Sequence, residues 1–204
     1  MQNSLQSASN RVCMSLLEAV NSHLTACKIR EYTPEDLQAC LTVYHSNEGH
    51  FLPTGRADDF TAFLERGTSY FLVVEQENEI VGCGGLELSG DGPWAWLVHG
   101  MIHKDRQRRG LGTTLLAARL SLLEPDGQSV EVRLRAGTAA ASFYDRFGFA
   151  LHSVAQHAYG PGEHGGNLER IILPEDVEAL QAALTEHGVE LILNELPLDE
   201  TAEP

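Results

Sequence analysis

The chain has 204 residues, 43% of them hydrophobic and 21% charged, which is typical of a single soluble globular domain. No apolar run approaches the ~20 residues that a membrane-spanning helix requires, so we expect no membrane partner. The net charge of -15 argues against nucleic-acid binding, because that function needs a basic face that neutralises phosphates.

The charge is unevenly distributed along the chain. From Pro174 onward the sequence carries nine carboxylate side chains and neither lysine nor arginine. In the middle of the chain, four basic residues lie within six positions, namely Lys104, Arg106, Arg108 and Arg109. A local cationic site on an acidic protein indicates that one anionic group is held there, not a polyanion.

The cysteines and the N-terminus both bear on the cellular compartment. The four cysteines are widely spaced and include no C-x-x-C pair, so we interpret them as reduced, mostly buried thiols. The N-terminus has no basic flank followed by an apolar run and a small-residue cleavage site. We therefore expect a cytoplasmic protein.

The first half of the chain predicts an alternation of helices and strands. Apolar residues recur every four positions over residues 12–24, which indicates an amphipathic helix. Residues 33–36, Thr-Pro-Glu-Asp, form a helix start with a hydroxyl N-cap, a proline in the first turn and an acid at the third position. The other predicted elements are a weak strand at 27–32, a helix at 57–64, and strands at 70–74, 80–86 and 94–103.

The second half continues this pattern. It predicts helices at 111–123, 139–147 and 177–184, strands at 130–134, 149–157, 168–173 and 189–193, and a Gly-rich loop at 159–167. Residues 1–10 and 196–204 are polar or acidic, and we expect them to be loose. The order favours a mixed α/β fold of the α+β type, with a mostly antiparallel sheet and one parallel strand–helix–strand crossover at residues 94–134.

The strand at 189–193 is a candidate for pairing at the edge of a sheet. Its partner is either the chain's own sheet or a second copy of the chain. A monomer and a homodimer therefore both stay open.

The segment after the strand at 94–103 has the properties of an anion site. Gly110 and Gly112 open a helix, and the first turn of a helix has unpaired backbone N–H groups and the positive end of the dipole. Glycines allow a bulky phosphate to approach this backbone closely. Guanidinium groups suited to phosphate oxygens flank the site at Arg106, Arg108 and Arg109, so a pyrophosphate is the expected ligand.

The same segment resembles the acetyl-CoA motif of the GNAT N-acetyltransferase superfamily, Gln/Arg-x-x-Gly-x-Gly/Ala, with Gln107, Gly110 and Gly112 at the motif positions. A second block at residues 140–149, Ala-x-x-Phe-Tyr-x-x-Phe-Gly-Phe, resembles a helix of that family. Residues 80–82, Ile-Val-Gly, are similar to its third strand. The resemblance implies a GNAT-like sheet with a splayed parallel pair and flanking helices. It implies three segments: an N-terminal helical extension at 1–26, the GNAT core at 27–173 and a C-terminal extension at 174–204.

The resemblance also implies acetyl-CoA as co-substrate and assigns the residues that bind it. Backbone groups of Met101 and Ile102 would bind the pantetheine arm, in a gap between their strand and the strand at 130–134. The pyrophosphate would bind the motif segment, Gln107, Arg108, Arg109, Gly110, Leu111, Gly112 and Thr113. Where many relatives have an asparagine after the crossover strand, this chain has Thr138, whose hydroxyl is predicted to cap the next helix and to take a polar contact.

Two residues are candidates for the catalytic proton transfers. Tyr144 matches the family's tyrosine and would protonate the departing thiolate, since a phenol is neutral at pH 7. Glu87 is a candidate general base that would act through a water molecule. His99 would point to the opposite face of the sheet unless a bulge shifts the alternation, so we interpret it as a surface histidine. His99 and His103 lack a third ligand, so no metal site is predicted.

These features predict an enzyme that moves an acetyl group from acetyl-CoA to a primary amine, by direct attack in a ternary complex. The expected acceptor is a small molecule. It would lie between the segments 45–65 and 159–167, which contain His45, His50, Phe51, Arg56, Phe60, Tyr159, Glu163 and His164. A protein N-terminus or lysine is the alternative acceptor, and an acyl-CoA-binding regulatory module without catalysis is the alternative class.

Overall fold

A computed structural model of the chain describes residues 15–90, 92–125, 127–160 and 163–193. The predicted loose segments at 1–10 and 196–204 lie outside these residues. In chain order the elements are α1 (Leu16–Asn21), β1 (Lys28–Glu31), α2 (Leu37–Asn47), α3 (Ala57–Arg66), β2 (Tyr70–Gln76), β3 (Glu79–Leu88), β4 (Trp94–Ile102), α4 (Leu111–Leu120), β5 (Val130–Gly137), α5 (Thr138–Asp145), β6 (Ala150–Gly160), β7 (Glu163–Ile172), α6 (Pro174–Glu186) and β8 (Glu190–Ile192). None of the helices described is long and apolar enough to cross a membrane.

The predicted loop at 159–167 is wrong. The strands β6 and β7 extend to Gly160 and back from Glu163, so most of this segment belongs to an antiparallel hairpin. Gly165 and Gly166 lie inside β7, where Gly166 pairs with Ala136 of β5. A Cβ atom on Gly166 would lie 2.8 Å from Cδ1 of Leu151, so this glycine makes room for a neighbour and does not mark a turn.

The eight strands form one sheet in the order β6-β7-β5-β4-β3-β2-β1-β8. Neighbours are antiparallel except for the predicted crossover pair, β4 and β5, and a second parallel pair, β1 and β8. In the second pair Ile29 lies opposite Leu191. The predicted strand after Gly188 therefore completes an edge of the chain's own sheet.

Helices cover both faces of the sheet. On one face α1, α4, α5 and α6 pack into the larger core, which includes Val20, Leu116, Tyr144 and Leu180. On the other face α2 and α3 form a smaller aromatic core with Tyr44, Phe60, Phe63 and Phe71. The segments before residue 28 and after residue 173 thus contribute buried side chains to the same core as the sheet.

The parallel pair is splayed, as the resemblance to the GNAT superfamily implies. The β4–β5 ladder runs from Trp94 opposite Glu131 to Leu97 opposite Leu134 and then ends. Beyond that point β4 stays paired with β3, and β5 stays paired with β7. A gap therefore opens between residues 98–102 and residues 135–137.

Candidate active site

A bulge in β4 lies on the wall of this gap. The β3–β4 register shifts after Cys83, so that His99 and Gly100 together face Gly84. His99 adopts a left-handed backbone with φ 47°. The bulge places both Val98 and His99 on the α2–α3 face, while Gly100 faces α4. The bulge therefore brings His99 to the α2–α3 face, where strict alternation would not place it together with Val98.

The imidazole of His99 packs between two aromatic rings of α3. Its ring centroid lies 4.3 Å from that of Phe63 and 5.1 Å from that of Phe60. The residue keeps an exposed surface, but desolvation of the ring, helped by the positive charge of Arg66, lowers the pKa of His99 to about 4. The side chain is therefore neutral at pH 7 and is a weak base.

The β4–α4 loop, residues 103–110, follows β4 directly. Gly110 has φ 86° and precedes α4 as its N-cap. The Thr114 N–H donates to the Gly110 carbonyl at 3.0 Å, so the N–H groups of residues 111–113 precede the regular helical bonds. A Cβ atom on Gly112 would lie 3.5 Å from Phe143 and 3.9 Å from Ile102. The first turn of α4 therefore lies at the end of the gap, between β4 and α5.

A segment far away in sequence supports this loop. The Thr25 hydroxyl donates to the Arg109 carbonyl at 2.6 Å, and the Thr25 N–H donates to Oγ1 of Thr114 at 3.0 Å. A Cβ atom on Gly110 would lie 2.2 Å from Oγ1 of Thr25 and 2.4 Å from the His23 carbonyl oxygen. Gly110 is thus required by its left-handed backbone and by the close approach of the N-terminal segment.

Tyr144 lies on α5 with its ring in the larger core. The ring makes edge contacts with Phe143 and Phe149, at centroid distances of 5.0 and 5.7 Å. Its hydroxyl forms no hydrogen bond with any residue of the described ranges. The predicted helix cap at Thr138 is wrong, because β5 runs on to Gly137 and the N-cap is this glycine.

The family model described as Acetyltransferase (GNAT) domain matches residues 28–160. The chain belongs to this family. It is therefore an acyltransferase. A search of curated proteins gives no match.

Three solved structures show the GNAT fold of this chain. The ribosomal-protein-S18-alanine N-acetyltransferase from Escherichia coli aligns with 71% of this chain and 93% of its own, at 21% identity and a TM-score of 0.59. Ard1 from Thermoplasma volcanium aligns with 73% and 99%, at 21% identity and a TM-score of 0.59. An aminoglycoside 6'-N-acetyltransferase complexed with coenzyme A aligns with 72% and 97%, at 13% identity and a TM-score of 0.57.

The two predicted backbone contacts on β4 differ in orientation in this GNAT chain. The His103 N–H donates to the Val81 carbonyl at 2.8 Å. Because backbone groups alternate along an antiparallel ladder, Met101 directs its N–H and C=O to β3, whereas Ile102 directs them toward the gap. Of this pair, Ile102 has its backbone groups on the side of the gap.

The motif glutamine links the loop to α2. Nε2 of Gln107 donates to the Ile102 carbonyl at 3.0 Å and to Oδ1 of Asn47 at 2.9 Å. Nδ2 of Asn47 donates to the same Ile102 carbonyl at 3.1 Å and to the Val43 carbonyl at 2.8 Å. Asn47 is 2% exposed, and the sequence reasoning missed it. An asparagine on an otherwise apolar helical face was the available signal.

The arginines of the loop divide into two groups. Arg106 pairs with Glu79 at 3.2 Å and with Glu77 at 3.6 Å, two exposed carboxylates at the β2–β3 turn. Arg108 and Arg109 are exposed, and Nη2 of Arg109 donates to the Asp105 carbonyl at 3.1 Å.

The candidate base Glu87 lies near the far end of β3. It is half-buried and stands opposite Trp96 in the β3–β4 ladder. Since its neighbour Leu86 is buried in the larger core, Glu87 faces the α2–α3 side, as does His99. Among the residues that the structure describes, no group of three metal-ligating side chains comes together.

Proposed function

We propose that this GNAT enzyme transfers the acetyl group of acetyl-CoA to a primary amine, by direct attack in a ternary complex. The observation that carries this proposal is the gap between β4 and β5, which has the first turn of α4 at one end and the bulge of β4 along its wall. Such a gap offers unpaired strand backbone to an extended ligand and helix N–H groups to its phosphates.

The residues around the gap fit the coenzyme. The N–H groups of residues 111–113 would hold the pyrophosphate, with Arg108 and Arg109 exposed beside them. Thr113 would contribute through its backbone, because its side chain is buried. The Ile102 N–H would bind the pantetheine arm like an added strand. Thr138, the first residue of α5, stays a candidate for a contact with the coenzyme.

Two residues of the chain would move protons in this reaction. Acetyl-CoA supplies a carbonyl carbon that is activated as a thioester. Tyr144 would protonate the leaving sulfur, because a phenol O–H can donate a proton. Glu87 would accept the proton of the attacking amine through water. His99, with a pKa of about 4, is suited to accepting a hydrogen bond from the amine and not to removing its proton.

A groove next to the gap suits a polar acceptor. It has a volume of about 450 Å³, lies over the paired part of β4 and β5, and includes Trp96, Arg133, His152 and Glu169 in its lining. We propose a small-molecule amine as the acceptor. A peptide amine is the second candidate, and the openness of this groove favours it because a polypeptide needs an unobstructed path.

The catalytic test is removal of one hydroxyl. Tyr144→Phe is expected to lower kcat by about 100-fold or more, with a change in the KM for acetyl-CoA of less than about threefold. The measurement is steady-state thiol release. Tyr70→Phe, which removes a hydroxyl from a half-buried tyrosine of β2, is the matched control and should keep full turnover. An unchanged kcat in Tyr144→Phe would show that the phenol is not the acid.

The acceptor test uses the same assay with a panel of amines. Small polyamines and aminoglycosides represent the first class, and tripeptides with a free or a blocked N-terminus represent the second. Turnover confined to free-N-terminus peptides would replace the small-molecule proposal with the peptide one. Binding of acetyl-CoA without thiol release for any amine would contradict both.

A further inference from the structure

A buried arginine lies beneath the bulge of β4. Arg119, near the end of α4, is 2% exposed, and its Nε donates to the Leu115 carbonyl at 3.3 Å. Its Nη1 is fully buried and has no hydrogen-bond partner among the described residues. Because a guanidinium stays protonated in proteins, Arg119 carries a positive charge inside the core.

Two glycines make the space for this guanidinium. A Cβ atom on Gly100 would lie 2.8 Å from both Nη1 and Nη2 of Arg119, and one on Gly84 would lie 3.2 Å from Nη1. These glycines face each other at the bulge. Both neighbouring strands therefore lack a side chain where the charge is held.

Neither Cys83 nor His99, the two titratable residues described beside the bulge, neutralises this charge. A hydrogen bond with Cys40 and burial raise the pKa of the Cys83 thiol well above its ordinary value, although Arg119 acts in the other direction, so Cys83 is uncharged at pH 7. The low pKa of His99 makes it neutral as well. A buried charge without a partner destabilises the folded state, so packing alone gives no reason for an arginine here.

The bulge lies at the depth to which the coenzyme would reach. His99 precedes the end of β4 by three residues, which is about 10 Å along a strand. A pantetheine arm contains two amides and is about as long as four residues of extended chain. With its pyrophosphate at α4, the arm would bring its sulfur to the level of His99 and Gly100. This step rests on the proposed function.

We propose that Arg119 is a positioning residue that acts electrostatically through the bulge on the reacting centre. During transfer the amine nitrogen forms a bond to the carbonyl carbon and the carbon–sulfur bond breaks. Negative charge develops on the oxygen and then on the sulfur, which leaves with the electron pair and takes a proton from Tyr144. A fixed positive charge in a water-poor site stabilises this charge as it develops.

The first test measures the thiol pKa of bound coenzyme A by thiolate absorbance, which needs binding but no acceptor. Arg119→Met and Arg119→Gln are expected to raise this pKa by about one unit or more relative to the unmutated protein, and Arg119→Lys should raise it less. Lys28→Met, which removes a partly exposed lysine of β1 near the far edge of the sheet, is the control and should leave it unchanged. An unchanged thiol pKa in both neutral variants would overturn the proposal.

The second test compares stability with turnover. Arg119→Met should keep or raise the Tm of the coenzyme-free protein while it lowers kcat about 10- to 100-fold at a similar KM for acetyl-CoA. Failure of the neutral variants to fold would overturn the proposal, because the charge would then serve the fold. If the unmutated protein binds coenzyme A but transfers no acetyl group, the proposed function fails, and the thiol pKa still decides the role of Arg119.

Discussion

Several residues at the gap are determined by contacts with distant parts of the chain. The sequence motif identifies Gly110 as a residue that lets a phosphate approach. In the structure its left-handed backbone and the two close oxygens of the N-terminal segment already exclude a side chain. The chain therefore needs this glycine even without a ligand.

Replacing this glycine should separate backbone strain from steric conflict. Gly110→Ala is expected to lower the free energy of unfolding by about 3 kcal/mol or more, since the left-handed backbone costs about 1–2 kcal/mol and the contact with Thr25 adds to it. Gly127→Ala is the control, because Gly127 has φ 70° but no atom within 4 Å of a Cβ position. Urea unfolding measures both. Equal losses would show that Thr25 adjusts without cost.

The sequence could identify some residues of the site but not others. Gln107 and Tyr144 stand in motifs with fixed spacing, so the sequence alone identifies them as candidates. The surroundings of Arg119 and the orientation of His99 depend on the bulge, which one extra residue on β4 creates. The hydrophobic periodicity of the sequence does not indicate this bulge. Gly100, a glycine inside an apolar strand, was the available signal for that bulge.

At the scale of the elements, α2 is linked to the β4–α4 loop by contacts that the sequence motif does not indicate. Asn47 at the end of α2 and Gln107 in the loop share the Ile102 carbonyl at the end of β4. Three elements thus meet at one oxygen atom. A shift of α2 would be transmitted to the position of the loop.

Removing this link should affect both stability and coenzyme binding. Asn47→Ala should cost about 1–3 kcal/mol, because it removes a buried side chain with four hydrogen-bond partners, and should weaken coenzyme A binding about 3- to 10-fold. Gln181→Ala, which removes one bond from α6 to the Ser121 carbonyl, is the control and should lose stability without losing affinity. Chemical denaturation and calorimetric titration give the two values. Equal affinity in both variants would argue against the link.

The order of the elements was predictable because each helix and strand carries its own period. The parallel pairing of β8 with β1 was not, since a short alternating strand fits several edges equally well. The lengths of β6 and β7 were missed for a different reason. A glycine that makes room for Leu151, as Gly166 does, looks the same in sequence as a glycine of a turn.

For the whole molecule, the described helices outside the family match, α1 and α6, belong to the larger core. The helix α6 lies after the matched residues 28–160 and packs against α1 and α4. Val177, Leu180 and Leu184 are each 4% exposed or less. The catalytic core and its C-terminal segment therefore share one hydrophobic interior.

A single truncation in α6 should destabilise the whole protein. Leu180→Ala is expected to lower the free energy of unfolding by about 2–5 kcal/mol, because it leaves a cavity beneath α4. Glu178→Ala, an exposed position on the same helix, should change it by less than about 0.5 kcal/mol. Thermal unfolding followed by circular dichroism measures both. Two separate transitions, with only one shifted by Leu180→Ala, would contradict a shared interior.

The splay between β4 and β5 divides the sheet into two halves that share a short ladder. One half contains the strands from β8 to β4, and the other contains β5, β7 and β6. Four residue pairs of β4, from Trp94 to Leu97, connect the two halves. A ligand that forms hydrogen bonds with both β4 and β5 in the open part would connect the two halves of the sheet as an added strand does. Binding would then fill the gap and make the sheet more rigid, and release of the ligand would restore the flexibility at the β4–β5 ladder.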